Sequence, residues 1–285
     1  MLRLRAVFGQ LRRPVGGIAL AIAFIVLGSA PAAADLLISP LRVVFEGRTR
    51  SVTVVVTNQS QETKTYRLEW SEKRAKDDGQ YEDVREPDPT MPVSSKMVQF
   101  SPRQVTLAPG EQQQVRVALR APADLPAGEY RSHLSFVQIG QPQRQASRRA
   151  QQGGAGIEVF LNLGFAIPVI VRHGTSAEAP GAQLAGAQFR LDELNRVNLI
   201  VDIARRGAFS PYGRLRVFLR EQDGAPERQI GMLNNVAMFP EVATRRNAVV
   251  LTESAVDRGI IRVVYEGADE YAGRTWFDQS FRVGG

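Results

Sequence analysis

Short stretches in which apolar and polar residues alternate are the main pattern along the chain. Val115, Val117 and Leu119, for example, are separated by single polar or small residues, as in a strand with one buried face. Turn residues such as Pro109-Gly110 lie between these stretches. The strands predicted for the first half are 37–45, 51–57, 65–72, 97–100, 113–119 and 130–139. Together with a strand that starts at position 157, they are typical of a seven-stranded immunoglobulin-like sandwich.

The second half continues in the same way. Strands are predicted there at 197–204, 213–220, 248–251, 259–265 and 275–283. No long segment in this half has the 3.6-residue period of an amphipathic helix. We therefore expect an all-β fold with two immunoglobulin-like sandwich domains, a number that suits the 285 residues of the chain.

The boundaries between the domains follow from changes in composition. Residues 140–156 are rich in Gln, Arg and Gly and predict a long loop. Small residues and proline in 173–186 predict the linker. The N-terminal domain is thus predicted at 35–172 and the C-terminal domain at 187–285.

The first 34 residues have the pattern of a secretory signal peptide. Four arginines and no acidic residue precede an apolar run at 15–27, and small residues follow up to Ala34. A membrane anchor is the alternative, but the run is shorter than the roughly 20 residues that a spanning helix needs. We expect cleavage near Ala34 and a location in the periplasm.

Composition excludes several kinds of chemistry. The chain has no cysteine, which rules out thiol catalysis, disulfides and thiolate metal sites. Its two histidines, His133 and His173, have no histidine partner at metal-ligand spacing. No Gly-x-Ser-x-Gly elbow and no glycine-rich phosphate loop occurs. We therefore predict no enzyme activity, no metal and no cofactor, and an exported protein is not expected to bind nucleic acid.

The strand predicted at 157–171 is the most specific feature. Alternate positions place apolar side chains on one face, and those of interest are Val159, Leu161, Leu163, Phe165 and Ile167. The stretch is far longer than the usual ~5–6 residues, so part of it is expected to extend beyond its own sandwich. An apolar overhang requires a partner to cover it. A long strand of the domain's own core is the alternative interpretation.

Several segments resemble a known family. They are Leu37-Ile38-Ser39-Pro40-Leu41-Arg42-Val43-Val44-Phe45, Phe100-Ser101-Pro102, Leu107-Ala108-Pro109-Gly110 and Leu125-Pro126-Ala127-Gly128-Glu129-Tyr130-Arg131. In this succession the chain resembles the periplasmic PapD-like chaperones of chaperone–usher pilus assembly, as a divergent branch. The resemblance implies an L-shaped or boomerang arrangement of the two domains. It also implies that the seventh strand is donated to an incomplete pilus or fimbrial subunit, which is then delivered to an outer-membrane usher.

The resemblance further assigns roles to single residues. Arg42 matches the arginine that binds the C-terminal carboxylate of the subunit in the family, as a guanidinium is suited to do. The lysine that assists it is replaced by Pro168. Three possibilities stay open: Arg42 acts alone, a base such as Arg172 substitutes, or the client is anchored differently. Arg116 matches an arginine that ties the domains together, and Glu129 is its proposed partner.

Two further possibilities concern function and assembly. The alternative to a chaperone is a structural or adhesive exported protein that uses the same sandwiches without a client. Free molecules are also candidates for self-association through the exposed strand, because unpaired edges pair readily.

Overall fold

The computed structural model describes residues 35–86, 88–140, 164–175 and 178–284, and these form two all-β sandwich domains. The predicted fold class is thereby confirmed. The predicted signal peptide, the loop at 140–156 beyond Gly140, and Val159, Leu161 and Leu163 of the predicted donor strand lie outside the described residues. None of the described helices is long and apolar enough to cross a membrane.

The first domain consists of two facing sheets and a small hairpin. Its strands are β1 (Leu36–Ser39), β2 (Val43–Phe45), β3 (Ser51–Asn58), β4 (Lys64–Ser71), β5 (Lys73–Ala75), β6 (Tyr81–Asp83), β7 (Val98–Ser101), β8 (Gln104–Leu107), β9 (Gln112–Leu119), β10 (Gly128–Ile139) and β11 (Gly164–His173). One sheet has the order β1-β3-β9-β7, the other β2-β11-β10-β4-β8, and β5 pairs with β6. Alternate apolar side chains of the two large sheets meet in one core, as the sequence pattern requires.

The strand predicted at 37–45 is in fact two strands in different sheets. β1 runs antiparallel to β3, whereas β2 runs parallel to β11. Pro40 lies between them and has no backbone N–H for a continuous ladder. The chain crosses from one sheet to the other at this point, so β2 is only three residues long.

The second domain has a three-stranded and a four-stranded sheet. Its strands are β12 (Gly181–Leu191), β13 (Val197–Arg206), β14 (Tyr212–Arg220), β15 (Arg228–Ala237), β16 (Thr244–Val250), β17 (Gly259–Gly267) and β18 (Thr275–Val283). The orders are β12-β13-β16 and β15-β14-β17-β18, and a short 3₁₀ helix, Asp269–Tyr271, follows β17. A second apolar core lies between these sheets.

The linker is shorter than predicted, and two strands of this half were not predicted. The linker predicted at 173–186 is shorter, because β11 extends to His173 and β12 begins at Gly181. β12 escaped prediction because it is rich in small and polar residues. β15 escaped it because register shifts against β14 interrupt the alternation of buried and exposed positions.

Asn58, the last residue of β3, forms hydrogen bonds with the chain around the next turn. Its side chain is fully buried, and its Nδ2 donates to Leu107 O at 2.9 Å and to Glu62 O at 2.7 Å. Its Oδ1 accepts from the backbone N of Ser60 at 3.0 Å. The buried amide therefore orders the turn that leads into β4.

We expect Asn58→Ala to lower the free energy of unfolding of the first domain by about 2 kcal/mol, because it leaves buried backbone groups without partners. Urea unfolding in a Trp276→Phe background measures this, since Trp70 in β4 is then the sole tryptophan. Gln59→Ala is the matched control at the exposed neighbouring position. Equal losses for the two variants would contradict the buried role of Asn58.

Candidate functional site

The sheet that contains β11 has two differently used faces. Ile167, Val169 and Val171 point into the core of the first domain. Ile170, on the opposite face, packs against Tyr212, Ala237 and Phe239 of the second domain. The alternation of side chains along β11 therefore joins the core of one domain to the surface of the other.

A buried ion pair lies next to this apolar contact. Arg172 Nε donates to Glu129 Oε2 at 3.0 Å, and each side chain is only 1% exposed. Arg172 also contacts Glu46 at 3.0 Å and Glu270 of the second domain at 3.1 Å. The guanidinium thus joins β11 to β10, to the residue after β2, and to the other domain.

Glu129 completes the connection through the backbone. It accepts hydrogen bonds from Ser210 N at 2.9 Å and from Ser210 Oγ at 2.6 Å, and Arg172 Nη2 donates to Ser210 O at 3.2 Å. Burial opposes the charge on Arg172, but Glu129, together with Tyr271 and Glu270, outweighs it and holds the pKa of Arg172 above its ordinary value. The buried arginine is therefore always a cation.

A second group of contacts lies farther along β10. Arg131 pairs with Glu241 of the second domain, and its guanidinium lies 3.8 Å from the centre of the Phe239 ring. Glu241 Oε1 also accepts from Ala75 N in the β5–β6 hairpin at 2.9 Å. The hairpin and β10 therefore hold the second domain at the same carboxylate.

Arg42 forms a third group of contacts at this junction. Its residue is 5% exposed, its guanidinium lies 3.8 Å from the centre of the Tyr212 ring, and Nη2 is 3.1 Å from Glu270 Oε1. Its side-chain nitrogens are buried, and Nη2 is the one that contacts the Glu270 carboxylate. The predicted carboxylate anchor thus lies against the second domain and is already paired with Glu270.

The predicted pair of Arg116 and Glu129 does not form. Arg116 is exposed on β9, where its Nε donates to Ser51 Oγ at 3.1 Å. β9 belongs to the β1-β3-β9-β7 sheet, whereas Ile170, which packs against the second domain, belongs to the sheet of β11. Glu129 does join the domains, but its arginine partner is Arg172, which the sequence had suggested as a substitute for the lysine missing at Pro168.

β11 has an open edge next to this junction. β2 pairs with β11 only at Val169, Ile170 and Val171. On that side of the sheet no described strand pairs with residues 164–168, whereas β10 pairs with β11 along its length on the other side. The shortness of β2 therefore leaves five residues of a central strand as an edge.

The register shows which residues direct their backbone groups at this edge. Arg131 N donates to Pro92 O at 2.8 Å, although Arg131 lies opposite Ile170 of β11. Arg131 and Ile170 are therefore a non-hydrogen-bonded pair, and the backbone groups of Ile170 point away from β10.

The same direction recurs at every second residue. Gly164, Ala166 and Pro168 consequently point their backbone groups outward at the open edge. Pro168 has no N–H, so Ala166 lies at the centre of the edge with both a donor and an acceptor to offer. This stretch has what an added strand needs.

The described part of the predicted donor face points inward. Ile167 is 3% exposed and Phe165 packs half-buried against the core of the first domain. These two side chains are fixed by their own sandwich. The predicted face that remains for a client comprises Val159, Leu161 and Leu163, outside the described residues.

The junction also contains a cavity of about 600 Å³. Its carboxylates are already paired: Asp88 with Arg74, Glu241 with Arg131, and Glu129 with Arg172. Within the described ranges, no group of three or more His, Asp or Glu side chains has the arrangement of a metal site.

The sequence pattern did not identify the residues that the second domain contributes. Ser210, Glu241 and Glu270 lie in turns or in the 3₁₀ helix, where no periodicity marks them. A signal did exist on β10, where Glu129, Arg131 and His133 alternate with Tyr130 and Ser132. Charged residues on the outer face of a central strand indicate a covered polar surface, because buried charges require partners.

Residues 43–146 match the family model of the Fn3-like domain. No curated protein matches the chain. Among solved structures, the YadV chaperone has 10% identity and a TM-score of 0.43, with 88% of this chain and 100% of that chain covered.

Two complexes give similar values. A chain of the Salmonella enterica SafA pilin–SafB chaperone complex has 14% identity and a TM-score of 0.42, with 88% and 98% covered. A chain of the CsuC–CsuE chaperone–tip subunit complex from Acinetobacter baumannii has 14% identity and a TM-score of 0.40, with 88% and 99% covered. The first of these structures is a chaperone, and the other two are complexes of a chaperone with a pilin or a tip subunit. At these low identities and TM-scores, the structural likeness carries no argument about function. The functional argument depends on the contacts described above.

We expect Glu129→Ala to destabilise the protein by about 3–5 kcal/mol, because it leaves Arg172 buried without its closest partner. It should also separate urea unfolding into two transitions, reported by Trp70 and Trp276 in the two domains. Arg116→Ala is the matched control and should leave the unfolding curve nearly unchanged, because that side chain is exposed. A single, unshifted transition for Glu129→Ala would contradict the assignment of the junction.

Proposed function

We propose that this protein is a periplasmic chaperone that binds an incomplete β-sandwich subunit of a pilus or fimbria by adding a strand of the subunit to the open edge of β11. The observation that carries the proposal is the edge at 164–168, with which no described strand pairs on the side away from β10. A strand with one open edge is a template for strand addition.

The residues before the edge supply the apolar part of the interaction. Val159, Leu161 and Leu163 continue the alternation of β11 toward its N-terminal side. Fully buried against a client, they contribute roughly 5–9 kcal/mol at about 1.5–3 kcal/mol per side chain, before the costs of association. This amount holds a subunit and still allows exchange for another strand without a nucleotide.

A rigid platform favours this kind of binding. Ile170 and Arg172 fix the C-terminal half of β11 to the second domain, and Ile167 and Val169 fix it to the first core. The open stretch is held on its core face by Phe165 and Ile167 and continues directly into this fixed half, which limits the conformational entropy lost when a client strand pairs with it.

Arg42 is proposed to bind the C-terminal carboxylate of the client. Its cationic guanidinium and its position immediately before β2, which pairs with β11 on the same side as the open edge, support this role. Glu270 already neutralises the guanidinium, so the client carboxylate has to displace Glu270. Delivery to an outer-membrane usher completes the proposed cycle.

The test is affinity purification of the tagged protein from the periplasm of its host, with mass spectrometry of the bound proteins. The wild type is expected to retain a small secreted β-rich subunit near one to one. Ala166→Pro should abolish its retention, because it removes the central outward N–H of the edge while the bonds to β10 are made by the alternate residues.

Pro168→Ala is the matched opposite change. It restores an outward N–H and should tighten binding about two- to tenfold, the value of one additional hydrogen bond. Leu161→Asp tests the apolar contribution and Arg42→Ala the carboxylate anchor in the same experiment.

Circular dichroism of each purified variant confirms that it is folded. If Ala166→Pro and Leu161→Asp retain the same partners as the wild type, strand addition at β11 is wrong. The alternative of a structural or adhesive protein without a client would then be favoured.

A further inference from the structure

His133 is a buried histidine that the proposed function does not use. It lies on β10, is 2% exposed, and neither ring nitrogen has a hydrogen-bond partner within the described residues. Its ring packs edge-on against Tyr81 of the β5–β6 hairpin, with centroids 5.1 Å apart. A histidine in this environment is neutral, because no described group accepts a hydrogen bond from its ring and the charged imidazolium would be buried without a partner.

The groups that face His133 are mostly cationic. Arg131 lies two residues away on the same face of β10, and Lys73 belongs to β5. Asp83 of β6 is the carboxylate on this side, and it is already paired with Lys73. The strands on either side place the uncharged Ser71 and Pro168 opposite His133. A proton on His133 would therefore add a third positive charge beside two cations whose carboxylates are already engaged, Lys73 with Asp83 and Arg131 with Glu241.

The hairpin that covers His133 also binds the second domain. Arg246 N donates to Asp77 O at 2.6 Å, and Ala75 N donates to Glu241 Oε1 at 2.9 Å. The Tyr81 ring, which covers His133, has its centroid 6.3 Å from that of Phe239. Arg245 is packed so closely against Gly79 that a Cβ there would lie 2.5 Å from Nη2. A movement of Tyr81 away from His133 therefore weakens the contacts of the hairpin with the second domain.

We propose that the β5–β6 hairpin is an acid-sensitive latch between the two domains, released when His133 takes up a proton. In the closed latch, Tyr81 covers the neutral His133 ring, and the hairpin is hydrogen-bonded to β16 and to Glu241. In the open latch the hairpin leaves His133, water reaches the imidazolium, and the contacts of Ala75 and Asp77 with the second domain are lost. The device is independent of whether β11 binds a client.

The direction of the pH dependence follows from the linkage between proton uptake by His133 and opening of the latch. Burial, with Arg131 and Lys73 adding to it, lowers the pKa of His133 in the closed latch to about 3. In an open latch the pKa returns to about 6.5. The closed form is thus fully favoured above about pH 6.5 and loses its advantage as the pH falls toward 3. The open-to-closed ratio should rise about 20-fold from pH 7 to pH 5 and about 200-fold to pH 4.

The absence of cysteine makes a direct measurement simple. Spin labels on Lys76→Cys in the hairpin and Ala248→Cys on β16, both exposed positions, report the separation by pulsed electron paramagnetic resonance. We expect one short distance at pH 7 and a growing longer component at pH 5 and pH 4. His133→Leu should keep the short distance at all three values, because it is apolar and does not titrate.

His173→Gln, at the other histidine, is the matched control and should behave like the wild type. An NMR titration of the wild type, which carries no spin label, follows the protonation of His133 directly. This measurement does not require any variant to fold. Its hairpin amide shifts should follow the His133 titration. The proposal is overturned if the wild-type distances at pH 4 and pH 7 are the same, or if His133→Leu opens equally. It is also overturned if the hairpin amides do not follow His133.

Discussion

The buried pair of Arg172 and Glu129 is the contact on which the arrangement of this protein depends. Two full charges that are 1% exposed cost several kcal/mol each to bury, and they are tolerated because each is satisfied from both domains. Removing either partner leaves the other uncompensated. The pair therefore selects one way of joining the domains, in which Ser210 lies over the ends of β10 and β11.

The open edge is a consequence of that junction. Ile170 and Arg172 are covered by the second domain and Val169 by the first core, so the C-terminal half of β11 can be approached only along its backbone, whereas Gly164 and Ala166 are exposed on the outer face. β2 covers three residues of that backbone because the chain changes sheets around Pro40. The five residues beyond it present their outward groups to a partner, and Ala166 lies in the middle of them.

The sequence predicted the fold better than the site. Alternation in segments such as 113–119 reflects burial on one face, and it located most strands to within a few residues. β12 and β15 were missed because small residues and register shifts weaken that signal. Glu129 was found through the resemblance, but with the wrong partner. Its partner Arg172 lies 43 positions away, and local patterns do not encode such pairing.

Arg42, Phe165 and Ile167 illustrate a second limit. Their residue types and spacing are visible in the sequence, yet which surface each side chain faces depends on how the domains pack. Arg42 lies against Tyr212 and Glu270, and Ile167 points into its own core. The distinction between an edge that offers its backbone and a face that offers its side chains becomes visible only when β2 and the second domain are in place.

Amide hydrogen exchange, measured residue by residue in the free protein and in the purified complex with its subunit, tests the central claim most directly. The account predicts that the Ala166 amide exchanges rapidly when free and becomes protected in the complex. The neighbouring Ile167 amide, which is directed at β10, should be protected in both states. An Ala166 amide that still exchanges rapidly in the complex would contradict strand addition at this edge.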